Sequence, residues 1–123
     1  MQERAKQNWS FTNEEVRDYM LQATSAVAYI HRQGYMHRDI KPENFLVSDD
    51  AKVLKLADFG LAKSTRDKSA QLTEYVSTRW YRAPELALNA RQYNQSVDIF
   101  ALGCIMSEMY IGRPLFPGRT EQD

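Results

Sequence analysis

Hydrophobic positions along the chain form two helical patterns of opposite character with a short strand-like pattern between them. Over residues 13–33 the apolar positions Val16, Tyr19, Met20, Ala23, Val27 and Ile30 recur at three and four, which predicts one buried stripe on an otherwise polar helix. Thr12 and Glu15 are spaced for a capping box and Phe11 and Val16 for a hydrophobic staple. Gly34 stops this helix after His31 and Arg32, which suit its negative end. Over residues 96–111 the pattern has almost no polar side: Val97, Ile99, Phe100, Leu102, Ile105, Met106 and Met109 predict a helix buried all round, ended by Gly112 and Pro114. Between the helices, apolar runs at 45–47 and 53–57 flank Ser48-Asp49-Asp50-Ala51-Lys52 and predict a hairpin. The expected fold class is mainly α with a short β-hairpin. Residues 61–85 are polar with little periodicity, and a loop of that length is expected to be functional or mobile. A polar stretch at 1–10 and a short apolar turn with a polar loop at 86–95 add nothing to this picture.

Composition changes the picture mainly by exclusion. With 43% hydrophobic and 26% charged residues, the 123-residue chain can bury a core as one domain. Sixteen basic and sixteen acidic residues give zero formal net charge, so nothing favours nucleic acid or an anionic membrane as partner. The longest apolar run, 99–106, is far too short to span a bilayer, and the polar opening is unlike a secretory leader. The single cysteine, Cys104, falls in that run and is expected in the core, which fits a reducing intracellular compartment. His31 and His37 have no partners at zinc-ligand spacing.

The chemistry concentrates in HRDIKPENFLVSDDAKVLKLADFG at 37–60. Asp39 and Asn44 share a segment interrupted by Pro42, which predicts a loop, and folding the hairpin back brings Asp58 near Asn44. An amide and a carboxylate oxygen suit magnesium, a separate carboxylate can take the proton of a substrate hydroxyl, and Lys41 supplies a point charge for a phosphate. That set suits phosphoryl transfer. His37, beside a carboxylate that already serves as base, reads as a packing and hydrogen-bonding residue and is left out of the site.

With HRDIKPEN at 37–44, DFG at 58–60 and APE at 83–85 in this order, the chain resembles the protein kinase family. The resemblance implies that Asp39 is the catalytic base, that Lys41 contacts the transferred phosphate, and that Asn44 and Asp58 hold Mg2+ with ATP. It names 13–33 a scaffold helix, 37–44 the catalytic loop, 61–85 the activation loop and 96–111 a central helix. KPEN points to serine or threonine substrates. LTEYVSTRWYRAPE at 72–85 narrows the likeness to the CMGC group, the mitogen-activated kinases and the male-germ-cell-associated type. Thr73 and Tyr75 then resemble a dual phosphorylation motif, and each phosphate adds about −1.5 to −2 charges that need cations. Arg38 and Lys63 are the candidates for phosphothreonine, Arg79 and Arg82 for phosphotyrosine. Lysine at 63, where many relatives have arginine, loses bidentate geometry. Thr78 matches the threonine that bonds near the base, and the pocket at 76–82 implies proline after the acceptor. Asp98 reads either as a first-turn charge or, by resemblance, as an acceptor for the catalytic-loop backbone. Phe100-Ala101 replaces the tryptophan and serine common in these relatives, and RPLFPG at 113–118 is similar to the same group.

The likeness covers only the middle of such a domain. The glycines at 34, 60, 103, 112 and 118 form no glycine-rich nucleotide loop, and no strand lysine or helix glutamate precedes the catalytic loop. The expectation is a partial kinase-like large lobe over 1–123 with the small lobe absent, Glu85 lacking its arginine partner, helix 96–111 left with an exposed apolar face by the loss of neighbours that cover it, and a loose core with weak nucleotide binding in isolation. Two readings stay open. One is a fragment of a serine/threonine kinase with protein substrates and an upstream activating kinase, resident in cytoplasm, nucleus or cilium. The other is a non-catalytic lobe that serves as an interaction module. A degenerate remnant is a third, against which every motif residue is intact.

Overall fold

The computed structural model describes residues 11–60, 62–64, 80–87 and 94–118. Helix α1 (Asn13–Arg32) starts at its capping box: the Thr12 hydroxyl accepts the Glu15 N–H at 3.1 Å and the Glu15 carboxylate accepts the Thr12 N–H at 3.0 Å. Two of the N–H groups that a helix start leaves over are thereby satisfied. Phe11 packs into the same core as Val16, with its ring edge-on to Tyr19 at 6.1 Å. Val16, Tyr19, Ala23 and Val27 form the buried stripe, while Met20 and Ile30 are only partly buried. Gln33 caps the helix, and Gly34 turns the chain at φ 86°, a conformation that costs glycine no Cβ clash.

Past this turn come β1 (Tyr35–Met36), a 3-10 turn at Pro42–Asn44, β2 (Phe45–Val47) and β3 (Leu54–Leu56). Strands β2 and β3 form the expected hairpin, antiparallel with Phe45 opposite Leu56 and Val47 opposite Leu54. It lies on α1, where the Tyr19 hydroxyl donates to the Ala51 carbonyl at 2.8 Å. β4 (Lys63–Ser64) pairs with β1 in a second, two-residue ladder, Tyr35 opposite Ser64 and Met36 opposite Lys63. Strands this short carry no alternation to read, so the ladder was not expected. One turn of helix, α2 (Pro84–Ala87), precedes α3 (Ser96–Ile111).

The core lies between α1 and α3 and is closed by Ile40, Phe45, Leu54 and Tyr81. Gly112 ends α3 at φ 77°, its N–H on the Glu108 carbonyl at 2.8 Å. The all-round apolar pattern of α3 is buried on one side only, and the apolar face expected to lie open in this chain does so: Ile99, Met106, Tyr110 and Ile111 are 52%, 41%, 49% and 50% exposed. Positions 99, 103, 106 and 110 fall on one side of a 3.6-residue helix, and the core described here meets the other. Cys104 is buried, and desolvation pushes its thiol up to about 11, which makes it unreactive. No described helix is long and apolar enough to cross a membrane.

Candidate active site

The loop at 37–44 buries its polar side chains: His37 is 0% exposed, Arg38, Asp39 and Lys41 are each 8%, and Asn44 is 5%. Burial of such groups is tolerable only when each is bonded or paired. The first anchor is Asp98 in the first turn of α3, itself 1% exposed. Its Oδ2 accepts the His37 N–H at 2.8 Å and its Oδ1 the Arg38 N–H at 2.9 Å. His31, in the last turn of α1, brings its Nε2 to Oδ2 at 2.8 Å, and the Gln95 amide donates to the His31 carbonyl at 3.0 Å. One carboxylate thus ties both helices to the start of the loop. Arg38 has φ 71°, a left-handed conformation that a residue with a side chain holds only when its surroundings enforce it. The bonds to Asp98 are that enforcement.

Asp39, Lys41 and Asn44 converge beyond this anchor. The Lys41 Nζ stands 3.6 Å from Asp39 Oδ2, and the Asn44 side-chain amide donates to the Asp39 carbonyl at 2.6 Å and to Oδ2 at 3.3 Å. The loop can fold this tightly because Pro42 opens the 3-10 turn, with the Asn44 N–H on the Lys41 carbonyl at 3.0 Å. His37 connects the loop to the hairpin. Its Nδ1 accepts the Asp39 N–H at 3.1 Å, so the ring proton sits on Nε2 and is donated to the Ala57 carbonyl at 2.9 Å. The same ring lies 5.0 Å from that of Phe59.

The hairpin carries the fourth residue. The Ala57 N–H donates to the Asn44 carbonyl at 2.7 Å, so Asn44 and Asp58 flank the last bond at the hairpin's open end. Asp58 is exposed and left-handed at φ 57°, with its Oδ1 accepting the Gly60 N–H at 3.3 Å. A Cβ at Gly60 would come within 3.3 Å of that oxygen, so glycine keeps the approach open. The donor set fits magnesium. Asn44 spends its NH2 on Asp39, which leaves its amide oxygen for a cation beside the Asp58 carboxylate. Among the described residues no group of three or more His, Cys, Asp or Glu makes a cage. Such a two-residue set suits an ion that keeps waters and shares substrate phosphates.

A narrow cleft runs from Arg38, Asp39 and Lys41 to Tyr81 and Arg82. Below it the Tyr81 hydroxyl donates to Glu108 Oε1 at 2.7 Å, with both residues buried. Burial is the main reason both pKa values are raised; the bond pulls Glu108 the other way but does not outweigh desolvation. Of the remaining expected residues, Thr73, Tyr75, Thr78 and Arg79 lie outside the described residues. Lys63 lies in β4, where its backbone pairs with that of Met36. Glu85, in α2, makes no ion pair among the described residues. Sequence reasoning passed over His31, Tyr81 and Glu108. From sequence His31 suits the end of a helix and lacks zinc partners, and Glu108 is the lone acid after Asp98 in an otherwise apolar helix, a signal that it must be paired or neutral.

The protein kinase domain model matches residues 1–123. Over 96% of its length the chain is 51% identical to sporulation protein kinase mde3 of Schizosaccharomyces pombe, covering 22% of that protein. It is 53% identical to cyclin-dependent kinase F-4 of Oryza sativa, with 92% of the chain and 24% of that protein covered. With serine/threonine-protein kinase ICK of Mus musculus the identity is 48%, over 96% of the chain and 18% of that protein. The chain therefore spans about a fifth to a quarter of the length of these curated relatives.

Proposed function

The chain belongs to the protein kinase domain family, and on that premise we propose that it is the large-lobe part of a serine/threonine kinase active site, transferring the terminal phosphoryl group of ATP to protein hydroxyls. The observation that carries this is the convergence of Asp39, Lys41 and Asn44 within one buried, hydrogen-bonded loop. Asp39 receives the proton of the serine or threonine hydroxyl: Lys41 and Asn44 both contact Oδ2, which leaves Oδ1 for the acceptor. Lys41 also carries positive charge to the phosphoryl group in transit. Asn44 and Asp58 hold Mg2+, which neutralises phosphate charge when bound. An interaction module has no requirement for a carboxylate fixed in this way, so the geometry favours the enzyme.

The finer reading rests on LTEYVSTRWYRAPE and on the kinship with named CMGC-type kinases. In it an upstream kinase phosphorylates Thr73 and Tyr75, Arg38 and Lys63 receive the first phosphate, and Arg79 and Arg82 the second. Thr78 and its neighbours select a substrate with proline after the acceptor, and Asp98 holds the loop that carries the base. The decisive test is Asp39→Asn in the full-length protein. Phosphate transfer to a Ser/Thr peptide should fall by about 10²–10⁴-fold with nucleotide affinity retained. Unchanged transfer would remove Asp39 as the base.

A further inference from the structure

The hairpin that carries Asn44 and Asp58 at its open end is also fastened elsewhere, by a side chain that no catalytic motif contains. In the middle of α1, Gln22 turns its amide to the outer edge of β3. Its Nε2 donates to the Lys52 carbonyl at 2.9 Å, and its Oε1 accepts the Leu54 N–H at 2.9 Å. A carbonyl and an N–H two residues apart on one strand edge are the groups that a neighbouring strand would engage. The carboxamide, with one acceptor and two donors, stands in for that strand's peptide group.

The other fastenings show what this one controls. Tyr19 holds the hairpin's tip through Ala51, and His37 holds the far end of the same segment through Ala57. Leu54 and Asp58 are four residues apart, about 13 Å along an extended strand. Gln22 is the side chain of α1 that grips this segment at two backbone groups at once, donating to one and accepting from the other, on the side away from β2. A rotation of β3 re-aims Asp58 against Asn44, and donor groups of this kind work only within about 0.5 Å of their productive positions.

Resting on the kinase reading above, we propose that Gln22 is a positioning residue for the metal-holding pair Asn44 and Asp58. It acts through the backbone of β3 and touches neither the cation nor the nucleotide. Outer groups that orient metal ligands alter affinity by about 10-fold or more when removed, and that is the size of effect expected here.

The experiment is a Mn2+ titration of the full-length protein, read by electron paramagnetic resonance in the presence of a non-hydrolysable ATP analogue. Gln22→Met keeps the length and loses both bonds; Gln22→Glu keeps the acceptor for Leu54 and loses the donor to Lys52. Ile105→Val, a mild core change in α3, controls for general loosening. The expected result is Mn2+ affinity weakened about 10-fold in Gln22→Met, less in Gln22→Glu, and unchanged in Ile105→Val. If Gln22→Met does not fold, Gln22→Glu alone against the control decides. Equal affinity in wild type and the Gln22 variants overturns the proposal, as does equal weakening in the control or a wild type that holds no Mn2+. Phosphate transfer by the wild type is measured separately. A wild type that binds Mn2+ and nucleotide but transfers nothing defeats the kinase reading and leaves the role of Gln22 to the titration.

Discussion

Five polar or charged side chains of the loop at 37–44 are buried, while four large apolar side chains of α3 are exposed. Hydropathy alone would have arranged these regions the other way round. The loop stays inside because its groups are matched: Asp98 takes two backbone N–H groups and His31, His37 joins Asp39 to Ala57, and Asn44 and Lys41 meet Asp39. The outer side of α3 shows the opposite logic. Ile99, Met106 and Tyr110 belong to a helix whose inner side already buries Val97, Ala101, Leu102, Ile105 and Met109. Burial in this chain follows hydrogen-bond satisfaction in the loop and helical phase in α3, and neither can be had from a residue's hydropathy.

The contrast breaks most visibly at Asp98. Asp98→Ala leaves the His37 and Arg38 N–H groups buried without their acceptor and takes the partner from the partly buried His31 ring. An unsatisfied buried donor costs about 1–3 kcal/mol, so the loss should reach about 3–5 kcal/mol in urea unfolding. It also releases the left-handed backbone at Arg38, so activity should fall even in the fraction that stays folded. A loss below about 1 kcal/mol would mean that the loop is held by something other than this carboxylate.

The next test stays within one helix and one residue type. Ile105→Ala, at 1% exposure, should cost about 2–5 kcal/mol through lost burial and the cavity left behind. Ile99→Ala, at 52% exposure, should stay within about 0.5 kcal/mol. Melting temperatures of the two variants side by side check this. Equal costs would mean that the outer side of α3 is covered in the folded protein, and the inversion would disappear.

The same contrast explains what could be read in advance. Helix α1 was legible because its apolar residues repeat at three and four against a polar ground, and because Thr12 and Glu15 mark its start. The hairpin was legible because Phe45 to Val47 and Val53 to Ala57 bracket a polar turn. In α3 the sequence announced a helix but not its phase, since apolar residues on all sides carry no direction. In the loop the motif residues could be named, yet their fastening could not: the bonds to Asp98 span about sixty residues, and those from Gln22 about thirty. Contacts of that separation leave no local pattern. Glu108 is the exception, a single acid among the apolar residues of the helix's second half that points to a buried partner.

Glu108 offers the smallest and sharpest test, because it is a buried acid with a raised pKa on the very helix whose outer side is apolar. Burial raises its pKa above the ordinary 4.5 in the folded protein. The native state therefore holds this proton more tightly than the unfolded chain does, and stability falls as pH rises from about 4.5 through the raised value. Above that value a charge is held in the core with the Tyr81 hydroxyl as its donor at 2.7 Å. Glu108→Gln retains a carbonyl oxygen to accept from Tyr81 and has no proton to lose. Its melting temperature should match the wild type near pH 4.5 and exceed it progressively toward neutrality, with this one contribution to the pH dependence gone. Parallel curves for the two proteins across that range would mean that Glu108 titrates as a solvated carboxylate, and that the interior beneath Tyr81 is wetter than its burial implies.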